Sequence, residues 1–229
     1  MLTTFFVADI HLHPARTETT QHFCDFLAGA AKGSESLYIL GDLFDAWVGD
    51  DDLSDPFNTR ITAALKNLTD FGTKGFFLPG NRDFLIGEGF AAATGFTLLE
   101  DETVINVGGV STLLLHGDTL CTNDHEYQAF RTQIRSTAWR QDFLSRPLAE
   151  RKALIETLRQ HSEQEKQSKP AALMDVSPIA VQEAFHRHAV TRLIHGHTHV
   201  GARYGTLGYD ERWVLPEWHG DGCFWLAVP

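Results

Sequence analysis

The sequence predicts a layered α/β domain. Short runs rich in β-branched and aromatic residues alternate along the chain with longer stretches of helical periodicity. The strand-like runs are apolar throughout, which is typical of strands that are covered on both faces. Alternating strands and helices favour a sheet with its helices packed outside. The 229 residues, 43% of them hydrophobic, are enough for one large domain with its own core.

The predicted elements follow one another in a simple order. Five apolar runs are predicted as strands: Leu2–Val7, Leu37–Leu40, Gly75–Leu78, Thr112–Leu115 and Arg192–Ile194. Helical patterns are predicted at 17–32, 57–71, 87–94 and 176–189. The apolar runs on either side of Gly108-Gly109, at 104–107 and 110–115, predict a hairpin. The last strands are predicted near 212–215 and 223–228.

Composition and charge argue against several classes of protein. Three scattered cysteines without CxxC spacing argue against a disulfide scaffold or a thiolate zinc site, and they fit a reducing compartment. The first residues lack the basic flank and apolar core of a signal peptide. No run approaches the ~18 apolar residues that span a bilayer, so a soluble or peripheral protein is predicted. The net charge of −11 argues against a nucleic-acid partner.

Charge is distributed unevenly along the chain. Residues 124–170 carry nine Lys or Arg against seven Asp or Glu, a balance of +2, which leaves −13 for the rest. The same segment interleaves these charges with aromatic and aliphatic residues. One interpretation is an amphipathic helical pair that packs onto the domain, and the other is a lipid-binding surface. The acidic cluster formed by Asp50–Asp52 and Asp55 is predicted to be a solvated loop.

Side chains that bind metals follow the predicted strands at the points where the strands end. Five motifs do so: Asp9-Ile10-His11, Gly41-Asp42, Gly80-Asn81-Arg82-Asp83, His116-Gly117-Asp118 and His195-Gly196-His197-Thr198-His199. Because open α/β sheets bind ligands outside the carboxyl ends of their strands, these motifs are expected to meet in one crevice. Imidazole and oxygen ligands without thiolate suit Mn, Fe or Zn. Each motif alone fits an ordinary turn or a structural histidine equally well. Spacing alone leaves the last ligand pair open between His195/His197 and His197/His199.

The ordered set of motifs, from Asp9 to His199, resembles the calcineurin-like metallophosphoesterase superfamily. The resemblance implies a sandwich of two mixed β-sheets flanked by helices, with a dinuclear metal site. It implies a single domain over 1–229 with a helical insertion, or lid, at 124–170. By motif position, the implied metal ligands are Asp9, His11, Asp42, Asn81, His116, His197 and His199. Asp42 is expected to bridge the metals, and His195 is left to support the ligands or the core.

The residues around the motifs resemble one branch of this superfamily, the UDP-2,3-diacylglucosamine hydrolase family. The matching stretches are 41–52, 80–84, 116–124, 174–176 and 194–199. The resemblance implies that water activated by two metal ions, expected to be Mn²⁺, attacks the pyrophosphate bond in line. The implied products are UMP and 2,3-diacylglucosamine 1-phosphate (lipid X), in lipid A biosynthesis. It also implies peripheral attachment to the cytoplasmic side of the inner membrane, with no nucleic acid and no obligate protein partner.

Arg82 is the predicted catalytic residue, and it stands where most of the superfamily has His. Arginine does not readily donate a proton, because its pKa stays above ~12. A departing phosphate, with a second pKa of about 6, needs little protonation. Arg82 therefore favours cleavage of pyrophosphates over alkyl phosphomonoesters. By motif position, the family's substrate contacts fall on Asn81, Arg82, Asp124, Ser162, Lys166, Lys169 and His197. Lys166 replaces a common Asn, and Asn123 a common Asp.

The resemblance also gives the insertion a role. Its apolar side chains are expected to line an acyl-chain pocket: Tyr127, Phe130, Trp139, Phe143, Leu144, Leu148, Leu154, Ile155 and Leu158. Its basic side chains are expected to meet anionic lipid: Arg131, Arg135, Arg140, Arg146, Arg151, Lys152 and Arg159.

Three alternative functions account for parts of the pattern. Another calcineurin-like enzyme, such as a dinucleoside polyphosphate hydrolase or a cyclic nucleotide phosphodiesterase, fits the ligands but not the motif at 80–84 or the insertion. A non-catalytic binding protein on the same fold is expected to lack several ligands, whereas this set is complete. A nuclease is disfavoured by the net charge of −11.

Overall fold

The computed structural model describes residues 3–168, 170–206, 209–218 and 225–227, apart from the side chains at 161, 163–168, 171–172, 206, 209 and 225–227. The strands are β1 (Thr4–Val7), β2 (Ser36–Leu40), β3 (Lys74–Leu78), β4 (Thr97–Leu98), β5 (Thr103–Val107), β6 (Val110–Leu114), β7 (Arg192–His195), β8 (Val200–Thr206), β9 (Tyr209–Pro216) and β10 (Trp225–Ala227). The helices are α1 (Thr17–Ala28), α2 (Pro56–Asp70), α3 (Glu88–Thr94), α4 (His125–Arg135), α5 (Thr137–Ser145), α6 (Leu148–Ser168), α7 (Ala171–Met174) and α8 (Pro178–His188).

The described strands form two sheets, in the orders β10-β1-β2-β3-β4 and β5-β6-β7-β9-β8. In the first sheet β1 to β4 run parallel and β10 is antiparallel to β1. In the second sheet β6, β7 and β9 run parallel, while β5 and β8 are antiparallel to their neighbours. Both sheets are therefore mixed, and the predicted sandwich of two mixed sheets is confirmed.

Three apolar clusters hold the layers together. Successive side chains of a strand point to opposite faces, so Phe5 and Val7 of β1 pack under α1 to α3, whereas Phe6 packs between the sheets. A third cluster joins Ala184 and Phe185 of α8 to the far face of the second sheet. The layer order is helix, sheet, sheet, helix. Because each sheet is covered on both faces, the strands need to be apolar throughout.

Most helix ends lie close to the residues predicted from the sequence. The Asp55 carboxylate accepts a hydrogen bond from Phe57 N at 2.9 Å, with Pro56 in the first turn, so that α2 begins there. Helix α1, predicted to continue to residue 32, ends at Ala28 instead. The chain bends at Gly29, a poor helix former, and this bend buries Ala31 in the core.

Two strands, β4 and β8, were not predicted. β4 has only two residues. In β8, Gly201 and Gly205 take positive φ and the pairing with β9 shifts register near Tyr204, so the sequence lacks a regular alternation.

Residues 124–170 contain α4, α5 and α6. That this segment is an insertion that acts as a lid stays a prediction. Along the described residues, no helix combines the length and the apolar character that crossing a bilayer requires.

Candidate metal centre

The segments that follow β1, β2, β3, β6 and β7 meet at one edge of the two sheets. β1, β2 and β3 are parallel and in register, as are β6 and β7, so their carboxyl ends lie side by side. Backbone hydrogen bonds continue the pairing beyond the strands. Asp9 N donates to Gly41 O at 3.1 Å, and Gly196 N donates to His116 O at 2.7 Å. The crevice predicted from the five motifs is present.

The backbone at this edge is unusual. Five of the seven predicted ligands have a positive φ: Asp9 (54°), His11 (51°), Asp42 (53°), His197 (68°) and His199 (61°). Residues with a Cβ adopt this left-handed conformation at a cost of about 1–2 kcal/mol each. Such strain persists only where the surrounding structure enforces it, and it concentrates at functional sites. The strand-end loops are therefore built around the ligand positions.

A first group of ligand atoms comes from Asp9, His11 and His199. His199 Nε2 lies 3.4 Å from Asp9 Oδ1 and 3.5 Å from His11 Nε2. Asp9 is fully buried, and its Oδ2 accepts a hydrogen bond from His197 N at 2.8 Å. Burial alone raises the pKa of Asp9, but the nearby ring of His199 and the other surrounding imidazoles outweigh it and lower the pKa to about 2. Asp9 is thus a carboxylate at neutral pH.

A second group comes from Asp42, Asn81, His116 and His197. Asn81 Oδ1 lies 2.9 Å from His116 Nε2 and 3.0 Å from His197 Nδ1. Asp42 Oδ1 is 3.7 Å from His116 Nε2, and Asp42 Oδ2 is 4.0 Å from His11 Nδ1. The two oxygens of Asp42 therefore face different groups, which is the arrangement expected of a bridging ligand.

His116 is held in one orientation by the backbone. Its Nδ1 lies 2.9 Å from Leu40 O, and because a carbonyl only accepts, Nδ1 carries a proton. In the neutral ring the lone pair is then on Nε2, which faces the oxygens of Asn81 and Asp42. Burial lowers the pKa of His116, but the Asp42, Asp9 and Asp118 carboxylates raise it to about 9. The pocket thus attracts positive charge strongly.

The residues present fit divalent cations. Asp9 Oδ1 and His11 Nδ1 are buried and, among the described residues, have no hydrogen-bond partner. A buried polar atom without a partner is costly and calls for an ion or another explanation. The ligand atoms of Asp9, His11 and His199 lie within 4.8 Å of one another, and so do those of Asp9, Asp42 and His116. Carboxylate, amide and imidazole donors suit a divalent ion in each group.

The structure places the three neighbouring histidines differently. His197 lies beside Asn81 in the second group, and His199 lies beside Asp9 in the first. That this pair binds metal stays a prediction. His195 is fully buried beneath them, with Nδ1 2.9 Å from Gly196 O. Burial lowers its pKa to about 3, so it is a neutral ring at physiological pH. His195 belongs to neither group and packs below the loop.

Asp83 is a site residue to which the sequence analysis assigned no role. Its fully buried carboxylate accepts hydrogen bonds from Gly80 N (2.9 Å), Asp42 N (3.2 Å), Leu43 N (2.7 Å) and Phe44 N (3.3 Å). Burial and the Asp42 carboxylate raise the pKa of Asp83 to about 7, against these hydrogen bonds. One side chain thus joins the loop after β2 to the loop after β3. An acidic residue two positions after the predicted ligand Asn81 was the available signal.

A cavity of about 460 Å³, formed with α4, α5 and α6, lies next to the second ligand group. Asn81 and Arg82 line it on the side of the domain, and Ser162 lines it on α6. Asp124, another predicted substrate contact, caps α4 by accepting from Tyr127 N at 3.1 Å. The predictions for the side chain of Lys166 and for Lys169 lie outside the described residues.

Helix α4 is anchored to the ligand loops. Arg135 donates to Gly80 O at 2.8 Å, in the loop that carries Asn81. The Asp118 carboxylate, two residues after His116, accepts from Tyr127 Oη and Arg131 Nε, both at 2.7 Å. Residues that line the cavity are therefore fixed relative to the ligands.

The acidic cluster is not the solvated loop that was predicted. Asp52 is only 8% exposed, and Lys152 of α6 pairs with it at 2.8 Å. Arg151 of α6 is fully buried and pairs with Asp51. The cluster is therefore a docking point for the insertion. The prediction failed because its basic partners lie about a hundred residues away in sequence.

Five basic side chains of the insertion form ion pairs with the rest of the domain: Arg131, Arg135, Arg151, Lys152 and Arg159. Their partners are Asp101, Asp118, Asp51, Asp52, Asp55 and Asp45. The positive balance of the insertion thus compensates the acidic domain that it covers.

Comparison with known proteins agrees with this geometry. A sequence model of the calcineurin-like phosphoesterase family matches residues 2–201. UDP-2,3-diacylglucosamine hydrolase of Aromatoleum aromaticum is 47% identical over 97% of this chain and 92% of that protein. The protein of the same name from Escherichia coli O157:H7 is 44% identical over 96% of this chain and 93% of that protein.

Among solved structures, vacuolar protein sorting 29 from Cryptosporidium parvum shares the fold. The TM-score is 0.50 at 13% identity, and the match covers 98% of this chain and 83% of that one. The predicted resemblance is thus confirmed by sequence and by fold. The chain belongs to the calcineurin-like phosphoesterase family of hydrolases, and over nearly its whole length it is similar to the UDP-2,3-diacylglucosamine hydrolases.

Proposed function

We propose that the protein hydrolyses the pyrophosphate bond of UDP-2,3-diacylglucosamine to UMP and 2,3-diacylglucosamine 1-phosphate, within lipid A biosynthesis. The observation that carries this proposal is that a charged centre and an apolar cavity lie next to each other. Asn81 of the second ligand group and Arg82 next to it line the largely apolar cavity of about 460 Å³, so the charged centre adjoins an apolar space. A substrate with a pyrophosphate next to acyl chains needs both. The names of the relatives support the same substrate.

The two ligand groups would hold two divalent cations, for which we propose Mn²⁺. Asp9, His11 and His199 would hold one, Asn81, His116 and His197 would hold the other, and Asp42 would serve both. When bound, the cations neutralise phosphate charge and lower the pKa of water. In the overall reaction one P–O bond of the pyrophosphate breaks. The hydroxyl of water is added to one phosphorus and its proton goes to the departing phosphate. Since both product monophosphates have a second pKa of about 6, close to two protons are released at neutral pH.

Arg82 lies between the ligand groups and the cavity, which suits a residue that binds the pyrophosphate. Its backbone N–H donates to Asp42 Oδ1 at 2.8 Å, so its position is tied to a metal ligand. A guanidinium donates two parallel hydrogen bonds to phosphate oxygens and carries a permanent charge. Its role in the reaction is therefore to orient and neutralise the phosphates. Phosphoryl transfer depends mainly on these two effects.

The apolar part of the cavity suits the acyl chains. Its walls include Phe84, Phe130, Ile134, Trp139, Ile155 and Leu158. The ring centroid of Phe84, in the loop after β3, lies 6.0 Å from that of Trp139 in α5. The insertion and the domain thus form the pocket together. Its volume lies within the range of about 300–1,000 Å³ that is usual for small-molecule sites.

We further propose peripheral attachment to the cytoplasmic face of the inner membrane, where a diacylated substrate resides. Phe130, which is 39% exposed and lines the cavity, and Leu144, which is 41% exposed on α5, support this proposal. Reversible binding through partly exposed apolar side chains and a pocket for lipid requires no spanning helix.

The test is incubation of the purified protein with UDP-2,3-diacylglucosamine and Mn²⁺. We expect UMP release that is lost in Asp42→Ala and is at least 100-fold faster than cleavage of an aryl phosphodiester. UDP-N-acetylglucosamine, which has the same diphosphate without the long chains, is the matched substrate control and should react poorly. Cleavage of the aryl ester without UMP release would retain the metal centre and overturn the substrate.

A further inference from the structure

The hairpin of β8 and β9 places an unassigned carboxylate beside one of the ligands. The two strands are antiparallel, and Val200 pairs with Pro216. The next residues outward in this register are His199 and Glu217. His199 Nδ1 lies 3.2 Å from Glu217 Oε2. Strand pairing therefore sets this contact.

Glu217 is held in place by its neighbour. Trp218 N donates to Asp9 O at 3.2 Å, which ties the end of the hairpin to the loop after β1. The Trp218 ring is 2% exposed and packs edge-on against Phe23 and Phe26 of α1, with centroids 5.5 and 5.2 Å apart. On its other side, Pro216 ends β9. The backbone of Glu217 is thus held between two anchored residues, and its carboxylate lies 3.2 Å from His199 Nδ1 and 4.0 Å from Arg16 Nη1.

The other nitrogen of the His199 ring faces the first ligand group. Nε2 lies 3.4 Å from Asp9 Oδ1 and 3.5 Å from His11 Nε2. A carboxylate can only accept a hydrogen bond, so Glu217 favours a proton on Nδ1. The lone pair is then on Nε2, where a cation would be bound. A carboxylate partner also makes a ligating imidazole more basic.

We propose that Glu217 is a positioning residue for His199, and that it raises the affinity of the Asp9–His11–His199 group for a divalent cation. This rests on the metal-dependent function proposed above. The second group differs, because there His116 Nδ1 bonds to the neutral carbonyl of Leu40 at 2.9 Å. Loss of the Glu217 charge should consequently affect one of the two cation equilibria and spare the other.

The test is a Mn²⁺ titration of the metal-free protein, followed by electron paramagnetic resonance. Glu217→Gln keeps the volume of the side chain and removes its charge. We expect one of the two Mn²⁺ dissociation constants to rise about 10- to 100-fold, with the other unchanged. Glu217→Asp, which restores the charge at a longer reach, should recover part of the affinity.

Glu211→Gln is the matched control. Glu211 is a carboxylate of the same strand β9, and it accepts from Arg192 Nε at 2.7 Å without touching either ligand group. Glu211→Gln should lower the melting temperature and leave both Mn²⁺ dissociation constants unchanged. Melting of metal-free Glu217→Gln should stay close to that of the wild type, because Glu217 is partly exposed.

Three outcomes would overturn the proposal. They are Mn²⁺ constants in Glu217→Gln equal to those of the wild type, equal weakening of both constants, and a wild-type protein that binds no divalent cation. The last outcome would also remove the proposed function. Wild-type Mn²⁺ binding without UMP release would instead overturn only the substrate, since the titration is independent of the reaction.

Discussion

At the scale of single residues, Asp83 connects two of the loops that carry metal ligands. Its four backbone donors belong to Gly80, Asp42, Leu43 and Phe44. In Asp83→Asn one acceptor oxygen becomes an NH₂ group, which faces N–H donors. We expect a loss of about 2–4 kcal/mol in the free energy of unfolding, measured with urea, because each unsatisfied buried donor costs about 1–3 kcal/mol. The affinity for Mn²⁺ should also fall, since Asp42 moves.

Asp50→Asn is the control for Asp83. The Asp50 carboxylate accepts from Gly87 N, Phe90 N and Trp47 Nε1, and it contacts no predicted ligand. Asp50→Asn should lower the free energy of unfolding about as much as Asp83→Asn does and leave the affinity for Mn²⁺ unchanged. If Asp83→Asn bound Mn²⁺ as tightly as the wild type, its carboxylate would serve the fold alone.

Gly80 is required by a close approach of two backbones. A Cβ at this position would collide with Asp42 Oδ1 and with Asp42 N. Gly80→Ala should therefore displace Asp42 and abolish the cation equilibrium that depends on it, as measured by Mn²⁺ titration. In Gly109→Ala the new Cβ meets nothing within 4 Å at a φ of 82°. That control should lose only about 1–2 kcal/mol for the left-handed backbone, with normal binding of Mn²⁺.

The implied ligands of this centre were easier to recognise from the sequence than the residues that position them. Each implied ligand directly follows an apolar run, so local order along the chain was enough to place it at the edge of a sheet. Asp83 and Glu217 depend on contacts across loops and strands. The contact between Glu217 and His199 follows from the pairing of β8 with β9. β8 was not predicted, because its glycines interrupt a regular alternation of apolar and polar residues. Pairing between distant segments leaves no trace in a single sequence.

At the scale of elements, one buried arginine fixes the start of α6. Arg151 donates to Val48 O, Arg146 O and the Asp51 carboxylate. Arg151→Met should destabilise the protein by about 1–3 kcal/mol, because the buried carbonyl of Val48 loses its donor, whereas water can solvate the Asp51 carboxylate, which is 59% exposed. It should also raise KM for the proposed lipid substrate, because α6 forms one wall of the cavity. Urea unfolding and steady-state kinetics measure the two effects.

Arg146→Met is the control at this scale. Its ion pair with Asp142 at 2.6 Å is an exposed pair four residues apart, a type that contributes about 0.3–0.5 kcal/mol. Stability and KM should both stay close to those of the wild type. A similar response of the two variants would mean that α6 is positioned by its apolar side chains instead.

At the scale of the whole molecule, cations and fold should stabilise each other. The ligand groups bring Asp9 and Asp42, both buried carboxylates, together with several imidazoles. A ligand at 100 times its Kd stabilises the native state by about 2.7 kcal/mol, equivalent to about 5–10 °C per site for a protein of this size. Chelation should lower the melting temperature by this amount, and Mn²⁺ should restore it.

Asp42→Ala provides the comparison. Without the residue that faces both groups, its melting temperature should respond much less to chelator or to Mn²⁺. An equal response in wild type and variant would locate the stabilising cation elsewhere in the molecule.

The layer order was predictable because it follows from apolar runs that alternate with helices. The docking of the insertion onto the rest of the domain was not predictable from the sequence. Its ion pairs join residues about a hundred positions apart, such as Arg151 with Asp51 and Lys152 with Asp52. Net charge indicated that the two regions complement each other, but it could not indicate which charges meet.

The pairing of β10 with β1 has a consequence for synthesis on the ribosome. Phe5 lies opposite Leu226, so among the described strands β1 is made first and β10 last. Until β10 is made, one edge of β1 presents unpaired backbone groups, and such an edge invites association with other chains. Asp9 lies two residues beyond the end of β1. A chaperone that covered this edge during synthesis would therefore also shield the segment that carries Asp9.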